Sequence, residues 1–339
     1  MEKVRGRKMI NKNLHLSENI FKEDSELKAT RDGFGEGLVE AGEKDERVVV
    51  LSADVDESVR VQIFKGKYPH RFIEMGVAEQ AMATVAAGMA NYGKIPFICS
   101  YAVFSPGRNW EQIRTTVCIN NVPVKVAGHH AGLLTGPDGA THEALEDIAL
   151  MRVLPNMVVV VPCDVVEAKK ATVEIAGNRK PSYIRLSREK THVMTASKTP
   201  FKIGRAEIFW ESKDPKVTII ACGHMVYQAL LAAKKLAESK IEVMVINCHT
   251  IKPLDEQAIV RAAKTSGAVV TVEDHQIAGG LGGAVAEVLS RNFPVPMEYV
   301  GVTDAFGQSG NPKELLEKYN LTSNDIIKAV MKIIKRRNV

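Results

Sequence analysis

Three of the nine histidines lie in a single glycine-containing segment, GHHAGLLTGPDGATHEALEDIALMRVLPN, residues 128–156. The segment follows a predicted strand, precedes a predicted helix and contains His129, His130, Asp138 and His142. Loops at the carboxyl ends of parallel strands commonly carry function. Because neither HExxH nor a compact His and Cys pattern occurs, we predict no metal site in this chain. Proton transfer and hydrogen bonding to a polyhydroxylated substrate suit these side chains better.

A lone carboxylate, Glu79, interrupts the small and apolar run MGVAEQAMATVAAGMANYG, residues 75–93. A helix that begins just after Gly76 carries Glu79 in its first turn, followed by residues small enough for close packing. One interpretation is an acid that complements the helix dipole. The other is a functional acid held in a dry environment, and the residue by itself does not decide between them.

The composition is that of an ordinary globular protein of 339 residues, long enough for two domains. No apolar run approaches the ~20 residues of a membrane-spanning helix, and no signal-peptide core is found, so we expect a cytoplasmic protein without a membrane partner. The five cysteines are scattered and form no CxxC, which favours buried free thiols. The net charge of +5 equals that of five basic residues near the end, and NDIIKAVMKIIKRRNV predicts an amphipathic helix rather than a nucleic-acid surface.

Short β-branched strands alternate with helix-length segments along the chain, which predicts an α/β fold with helices on both faces of each sheet. The predicted strands of the first set are 47–55, 95–104, 122–130, 157–164 and 181–187, and the helices are 27–43, 78–91, 105–119 and 164–176. The second set has strands at 216–223, 241–248 and 268–274, and helices at 225–240, from about Leu254, and after HQIAGGLGG. We predict an extension (1–25), two three-layer α/β/α domains (26–192 and 205–339) and a linker (193–204).

The glycine-rich stretch AGGLGGAV, residues 278–285, is similar to a dinucleotide-binding loop but fails the motif. Val285 stands where the third glycine is required. We therefore interpret the stretch as a tight turn before a helix that helps form an interface of the second domain.

Several motifs together closely resemble transketolases. GVAEQ (76–80), SYAVF (100–104) and GPDGATHEALEDIALMRVLPN (136–156) resemble the pyrimidine-binding domain, and deoxyxylulose-phosphate synthases share a related pattern. The resemblance continues through ATR (29–31), LSADVDES (51–58), IRLSR (184–188) and EDHQIAGGLGG (273–283). It implies a thiamine-diphosphate-binding pyrimidine domain followed by a transketolase C-terminal-like domain.

The resemblance also implies a missing half. Transketolases mark their diphosphate-binding domain with GDG followed some thirty residues later by Asn, and no GDG occurs in this sequence. The chain is therefore similar to the C-terminal subunit of a split transketolase that transfers a two-carbon ketol unit between sugar phosphates. We expect an N-terminal partner subunit, self-association to a dimer, and dependence on thiamine diphosphate and on Mg²⁺ bound mainly by the partner.

Residue roles follow from the matching motif positions. Glu79 matches the acid that hydrogen-bonds the aminopyrimidine nitrogen, so we expect apolar burial to keep it protonated near neutrality. His130 and His142 match histidines that handle substrate protons and an oxyanion. The remaining matches are pyrimidine or cofactor contacts for Tyr101, Phe104 and Asp54, a substrate hydroxyl for Asp138, and substrate phosphate for Arg31, Ser58 and Arg188.

Three positions depart from the family pattern. Ala140 replaces the usual Pro before the Thr-His pair, Pro137 replaces a common Glu, and Gly107 stands where the aromatic loop normally has a tyrosine. We therefore expect donor and acceptor preference to differ from that of pentose-phosphate enzymes. Three alternatives remain open. One is a deoxyxylulose-phosphate-synthase-like subunit. The second is the β subunit of a 2-oxo acid dehydrogenase, which GVAEQ and the Thr141-His142 loop disfavour, and the third is a non-catalytic regulatory subunit, which the intact Glu79 and histidines disfavour.

Overall fold

The first half of the chain builds a largely parallel sheet in this computed structural model, which describes residues 10–337. Its helices are α1 (Thr30–Lys44), α2 (Gln62–Lys67), α3 (Glu79–Asn91), α4 (Trp110–Gln112), α5 (Asp147–Arg152) and α6 (Val165–Gly177). Its strands are β1 (Leu27–Ala29), β2 (Val48–Ser52), β3 (Phe72–Glu74), β4 (Ile95–Tyr101), β5 (Lys125–His129), β6 (Val158–Val160), β7 (Ser182–Arg185) and β8 (Lys190–His192). β1 and β8 form a small antiparallel pair, and the other six lie in one parallel sheet.

The second half builds another sheet from a similar alternation. The strands of this half are β9 (Glu207–Trp210), β10 (Val217–Ala221), β11 (Val243–Asn247), β12 (Thr250–Lys252), β13 (Val269–Gln276) and β14 (Met297–Val302), and all except β12 belong to the second sheet. Its helices are α7 (Met225–Glu238), α8 (Glu256–Ser266), α9 (Leu281–Asn292), α10 (Pro312–Lys318) and α11 (Ser323–Arg337). The strand order is β14-β13-β10-β11-β9, with β9 antiparallel to β11 and the other pairings parallel.

Both sheets are covered by helices on their two faces, which confirms the predicted fold class. On one face of the first sheet, Val50 and Phe97 pack with Phe34 of α1 and Phe64 of α2. Successive side chains of a strand point to opposite faces. The neighbours of Val50 and Phe97 along β2 and β4 therefore point to the other face of the sheet, where they pack against α3. This second core continues without a break into the second domain, where it meets α8 and α9. The two domains therefore share buried apolar surface.

One strand of the second half also joins the sheet of the first half. β12 comes from the second half but pairs antiparallel with β6, which extends the first sheet to the order β12-β6-β7-β5-β4-β2-β3. Residues 10–25 lie on the second domain, where Ile10 bridges to Trp210 and the Asn11 N–H donates to the Phe209 carbonyl at 3.0 Å. The segment before the first domain and the strand β12 therefore both tie the two halves together.

Several predicted elements need correction. The helix predicted at 105–119 begins only at Trp110, because residues 105–109 form a turn, and it continues as a π-helical stretch, Ile113–Cys118. The helix predicted from residue 27 starts at Thr30, since 27–29 form β1. β3, β9, β12 and β14 were not predicted, and the first three have only three or four residues each, which leaves little periodicity to detect.

The basic end forms the predicted amphipathic helix and folds back onto the second sheet. Lys332 and Arg336 of α11 both pair with Glu298 of β14, at 2.7 and 2.8 Å. Residues 338 and 339 of the predicted helix, like 1–9 of the predicted extension, lie outside the described residues. The five cysteines are buried and free, as expected. In the described part of the chain, no helix is long and apolar enough to cross a membrane.

Candidate active site at the carboxyl edge of the first sheet

The candidate site forms where β4 and β5 end side by side. The two strands are parallel neighbours, with Tyr101 opposite His129. Their carboxyl ends therefore release the loops 102–109 and 130–146 at the same edge of the sheet. α3 begins nearby at Glu79, as the sequence predicted. Segments far apart in sequence thus meet at one edge.

Four ring side chains pack together at this edge. The Tyr101 ring stacks on His130 with 3.9 Å between centroids and on Phe104 with 6.0 Å. The His142 ring meets Phe104 edge-on at 5.5 Å and Tyr101 at 5.9 Å. Tyr101, Phe104 and His142 are half-buried, whereas His130 is buried. The structure therefore joins the aromatic and histidine residues that the sequence singled out, with one side still open to solvent.

His129 and His130 are neighbours with opposite environments. His129 is fully buried and lies edge-on to Phe34 at 4.9 Å, on the side of the sheet covered by α1. His130 adopts a left-handed backbone, φ 53°, and faces the ring cluster. Burial, aided by Arg31 and Arg188, lowers the pKa of His130 to about 3. His130 is therefore a neutral imidazole at pH 7, and its Nδ1 has no hydrogen-bond partner in the structure.

Glu79 is 2% exposed and is held by the loop after β4. Arg108 Nη1 donates to Glu79 Oε2 at 2.6 Å, and Asn109 Nδ2 donates to the Glu79 carbonyl at 3.0 Å. The Arg108 guanidinium also lies over the Phe104 ring, 4.7 Å from its centroid. Arg108 thus links the acid to the ring cluster, and the sequence analysis did not single it out.

Gly107 has a steric reason to replace the family's tyrosine. A Cβ at this position would lie 2.0 Å from the Val103 carbonyl oxygen, far inside van der Waals contact. The turn at 105–109 therefore requires glycine, and the third ring of the family's aromatic loop has no counterpart at this position. The guanidinium of the next residue, Arg108, covers Phe104 instead.

Cationic side chains line the other side of the site. Arg31 Nη1 donates to the Ser58 carbonyl at 2.9 Å, so Ser58 contributes its main chain rather than its hydroxyl. Arg188 Nη1 donates to the Thr135 carbonyl at 2.8 Å and lies 3.5 Å from Asp138 Oδ1. Burial and the neighbouring Arg60 lower the pKa of Arg31, which indicates guanidinium groups gathered in one region. Such a region attracts a phosphate or another anion.

Asp54 contacts neither the ring cluster nor the cationic side chains. It is exposed in the loop after β2, in a left-handed conformation, φ 58°. Its N–H donates to Glu74 Oε1 at 2.9 Å, and the Gly76 N–H donates to the same oxygen at 2.8 Å. Glu74 therefore ties the Asp54 loop to the turn that leads into α3.

The second domain fixes the histidine loop. The Leu133 N–H donates to both carboxylate oxygens of Asp274, each at 3.1 Å, and His224 Nε2 lies 2.9 Å from Asp274 Oδ2. A Cβ at Gly132 would lie 2.0 Å from the same carboxylate, so only glycine allows this approach. The site geometry thus depends on both domains.

Two further residues were missed by the sequence analysis. Arg60 pairs with Asp32 at 2.7 Å beside Arg31. Glu143, directly after His142, is buried, and its carboxylate oxygens have no hydrogen-bond partner. Burial, with Asp274 nearby, raises its pKa to about 7. In the sequence, Arg60 and Glu143 stand out only because they lie close to motif residues. That closeness does not reveal whether a side chain is buried.

The arrangement combines a buried acid, a neutral imidazole, stacked rings and an anion-attracting edge. Among residues 10–337, no group of three or more His, Cys, Asp or Glu side chains is placed to hold a metal ion. The residues can hydrogen-bond a heterocycle, cover its flat face and exchange protons with a substrate hydroxyl. They suit an organic cofactor and a phosphorylated, hydroxyl-rich substrate.

Two family models match the chain. The family model described as transketolase, pyrimidine binding domain matches residues 26–193. The one described as transketolase, C-terminal domain matches residues 204–326. Together they cover more than half of the chain.

Individual relatives match over nearly the whole chain. A solved structure described as a split gene transketolase, inactive beta4 tetramer, is 45% identical, with a TM-score of 0.85 over 91% of this chain and 98% of the other. The 6-deoxy-6-sulfo-D-fructose transketolase subunit SqwH of Clostridium sp. is 41% identical over 91% of this chain and 95% of its own length. Human transketolase is 36% identical, over 91% of this chain and 49% of its own length.

The fold is thus that of a two-domain α/β protein whose first domain matches the pyrimidine binding domain of transketolase. The chain belongs to the transketolase family, in which it corresponds to the C-terminal half. It is a transferase subunit of the split type, as the sequence resemblance predicted.

Proposed function

We propose that this subunit, joined to an N-terminal partner, transfers a two-carbon ketol unit from a ketose phosphate to an aldose phosphate. The observation that carries the proposal is the buried Glu79 at the start of α3, beside the stacked Tyr101, Phe104 and His130 rings. An acid and flat aromatic faces are the groups that an aminopyrimidine requires. The family membership supports the same reaction.

The residues suit the pyrimidine half of thiamine diphosphate. Glu79 offers a carboxyl group to a ring nitrogen, and Tyr101 and Phe104 offer apolar faces. When bound, the cofactor supplies the electron sink for cleavage of the carbon–carbon bond. We assign Mg²⁺ and the diphosphate contacts to the partner subunit, and a supporting role near the cofactor to Asp54, which rests on the family resemblance alone.

Substrate roles follow from charge and position. We assign His130 and His142 to proton exchange with substrate hydroxyls and to the developing oxyanion, because both rings lie at the ring cluster and the neutral His130 imidazole can hydrogen-bond a substrate hydroxyl. Asp138 is assigned to a substrate hydroxyl. The substrate phosphate is assigned to Arg31, Arg188 and the Ser58 segment, where Arg offers a planar fork to phosphate oxygens.

The partner interface is supported by the exposed face of α3. Val77 is 70% exposed just before the helix, and Val85 of the helix is 42% exposed. Ala81, Thr84 and Gly88 lie exposed at helical spacing between and beyond them. Small and apolar residues next to the site suit close contact with another subunit. The related split-gene structure is described as an inactive beta4 tetramer, which supports self-association and a need for the second subunit.

Two further assignments belong to the proposal. We place the functional division of the chain at residues 26–192 and 205–339, with 193–204 as the linker. We also place the protein in the cytoplasm, and five buried free thiols agree with a reducing compartment.

The decisive experiment reconstitutes the enzyme. The purified chain is mixed with the GDG-containing partner, thiamine diphosphate and Mg²⁺, and glyceraldehyde 3-phosphate release from xylulose 5-phosphate is followed with ribose 5-phosphate as acceptor. We expect activity in the mixture and in neither subunit alone. Glu79→Ala should abolish it, whereas Glu111→Ala, an exposed acid on a nearby segment, should not.

The outcomes separate the alternatives. A stable complex that binds cofactor but turns over no sugar phosphate would contradict the proposed substrates, and pyruvate would be the next donor to test. Full activity of Glu79→Ala would contradict the assignment of the catalytic acid. A chain that stays monomeric in the partner's presence, measured by light scattering, would contradict the proposed assembly.

A further inference from the structure

Arg108 occupies the space between the proposed catalytic acid and the proposed pyrimidine-facing ring. Its guanidinium donates to Glu79 Oε2 at 2.6 Å and lies 4.7 Å from the centre of Phe104. The Arg108 side chain is 45% exposed, whereas the Glu79 carboxyl is 2% exposed. The pair therefore joins a buried acid to a cation with one side in water.

This pairing conflicts with the chemistry that the acid must perform. A guanidinium carries only donors and stays charged, so it favours an ionised carboxylate as its acceptor. An acid that donates a hydrogen bond to a ring nitrogen must instead carry a proton. A protonated Glu79 could contact both partners only through different oxygens, and its neutral oxygen is a weaker acceptor for a guanidinium than a carboxylate is, so the two partners favour opposite protonation states.

We propose that Arg108 is a positioning residue that holds Glu79 before the cofactor binds and releases it to the aminopyrimidine. The inference rests on the proposed function and adds a competition between this chain's own guanidinium and the cofactor for one carboxyl group. While paired, Arg108 stabilises a carboxylate whose burial without a partner is costly. After release, Glu79 takes up a proton and Arg108 turns to solvent.

The loop is built so that only the end of the Arg108 side chain has to move. The Arg108 N–H donates to the Phe104 carbonyl at 3.1 Å. The next residue, Asn109, is fully buried and donates to Ser105 Oγ at 3.1 Å as well as to the Glu79 carbonyl. The main chain on both sides of the guanidinium is thus fixed.

The first test measures cofactor affinity in the assembled complex with Mg²⁺, by titration calorimetry with thiamine diphosphate. Arg108→Met keeps most of the side-chain length but removes the charge and the donors. We expect it to bind thiamine diphosphate about 10- to 100-fold more tightly, the range that a charge-assisted hydrogen bond supports. Arg114→Met, at an exposed arginine of the same segment, should leave affinity unchanged. Equal or weaker binding by Arg108→Met would overturn the inference.

The second test asks whether the pair is merely structural. A double-mutant cycle with Glu79→Gln and Arg108→Met is measured by urea unfolding of the free chain, and repeated in the complex with cofactor. The inference predicts coupling between the two positions in the free chain and its loss on cofactor binding. Coupling that persists with bound cofactor, or that is absent from the free chain, would contradict it.

The two proposals fail in different ways. If neither the wild-type complex nor any variant binds thiamine diphosphate, the proposed function fails. If the wild type binds, Glu79→Gln weakens binding, and Arg108→Met binds like the wild type, the function stands and the role of Arg108 falls.

Discussion

Two glutamates near helix starts, Glu79 in the first domain and Glu273 in the second, are both buried but have different partners. Glu273 accepts from the Leu281 and Gly282 N–H groups at 2.7 and 2.8 Å, so it fills the N-terminus of α9. Glu79 lies in the first turn of α3 and accepts from the movable side chain of Arg108. Glu273 is thus held by the backbone, and Glu79 by a side chain that solvent reaches.

The difference shows which helix start is free for a ligand. A helix N-terminus attracts anions, and glycines allow a phosphate to approach it. In α9 the chain's own Glu273 carboxylate accepts from the N–H groups at the helix start, so those N–H groups are not available to a phosphate. Arg152 donates to the Gly279 carbonyl at 3.2 Å, so the turn also contacts the first domain, as predicted. Glu79 has no such backbone partners for its carboxyl group and can exchange one partner for another.

The largest expected effect in this comparison is on catalysis. Glu79→Gln keeps the shape of the side chain but removes the proton that the reaction exchanges, so we expect the turnover rate to fall on the order of 10²- to 10⁴-fold. Initial-rate measurements on the reconstituted enzyme check this. Circular dichroism should show an unchanged fold, and a variant with more than a tenth of wild-type turnover would contradict the role of Glu79.

The matched change in the second domain should instead act on stability. Glu273→Gln leaves an N–H group of α9 facing an amide donor, and an unsatisfied buried donor costs about 1–3 kcal/mol of unfolding free energy. Urea unfolding of both glutamine variants measures the contrast. Turnover per folded Glu273→Gln enzyme should stay close to wild type. A variant as stable as wild type but inactive would reverse our assignment of the two acids.

A smaller effect concerns Glu143, a buried acid without a hydrogen-bond partner in the structure. Burial raises its pKa from the ordinary 4.5 to about 7, so the folded state favours the protonated form. Its contribution to the unfolding free energy is fully present below pH 4.5 and is lost as pH rises through about 7. With partial solvent screening we expect a loss of about 1 kcal/mol.

The measurement is urea unfolding of wild type and Glu143→Gln between pH 4.5 and 8. The neutral glutamine cannot ionise, so the difference between the two proteins should grow in favour of the variant as the pH rises. A difference that is constant over this range would show that Glu143 does not titrate differently in the folded and unfolded states.

The parts of the site that follow from local sequence patterns and from the pairing of neighbouring strands could be predicted. Because neighbouring parallel strands end at one edge, SYAVF and the histidine segment could be expected to meet, and they do. The helix start at Glu79 followed from the small residues after Gly76. The turn at 105–109 was predicted as helix although Pro106-Gly107 is a local turn signal; the close approach of Gly107 to the Val103 carbonyl became visible only in the structure.

The sequence by itself determined the alternation of strands and helices, the family, and the residues gathered at the first sheet edge. These features follow from local periodicity and from motifs read in order along the chain. Only the tertiary structure decided that Arg108 pairs with Glu79, that Glu273 fills the start of α9, and that β12 joins the first sheet. The physical reason is that each of these depends on side-chain packing and backbone approach between elements, which no local pattern encodes.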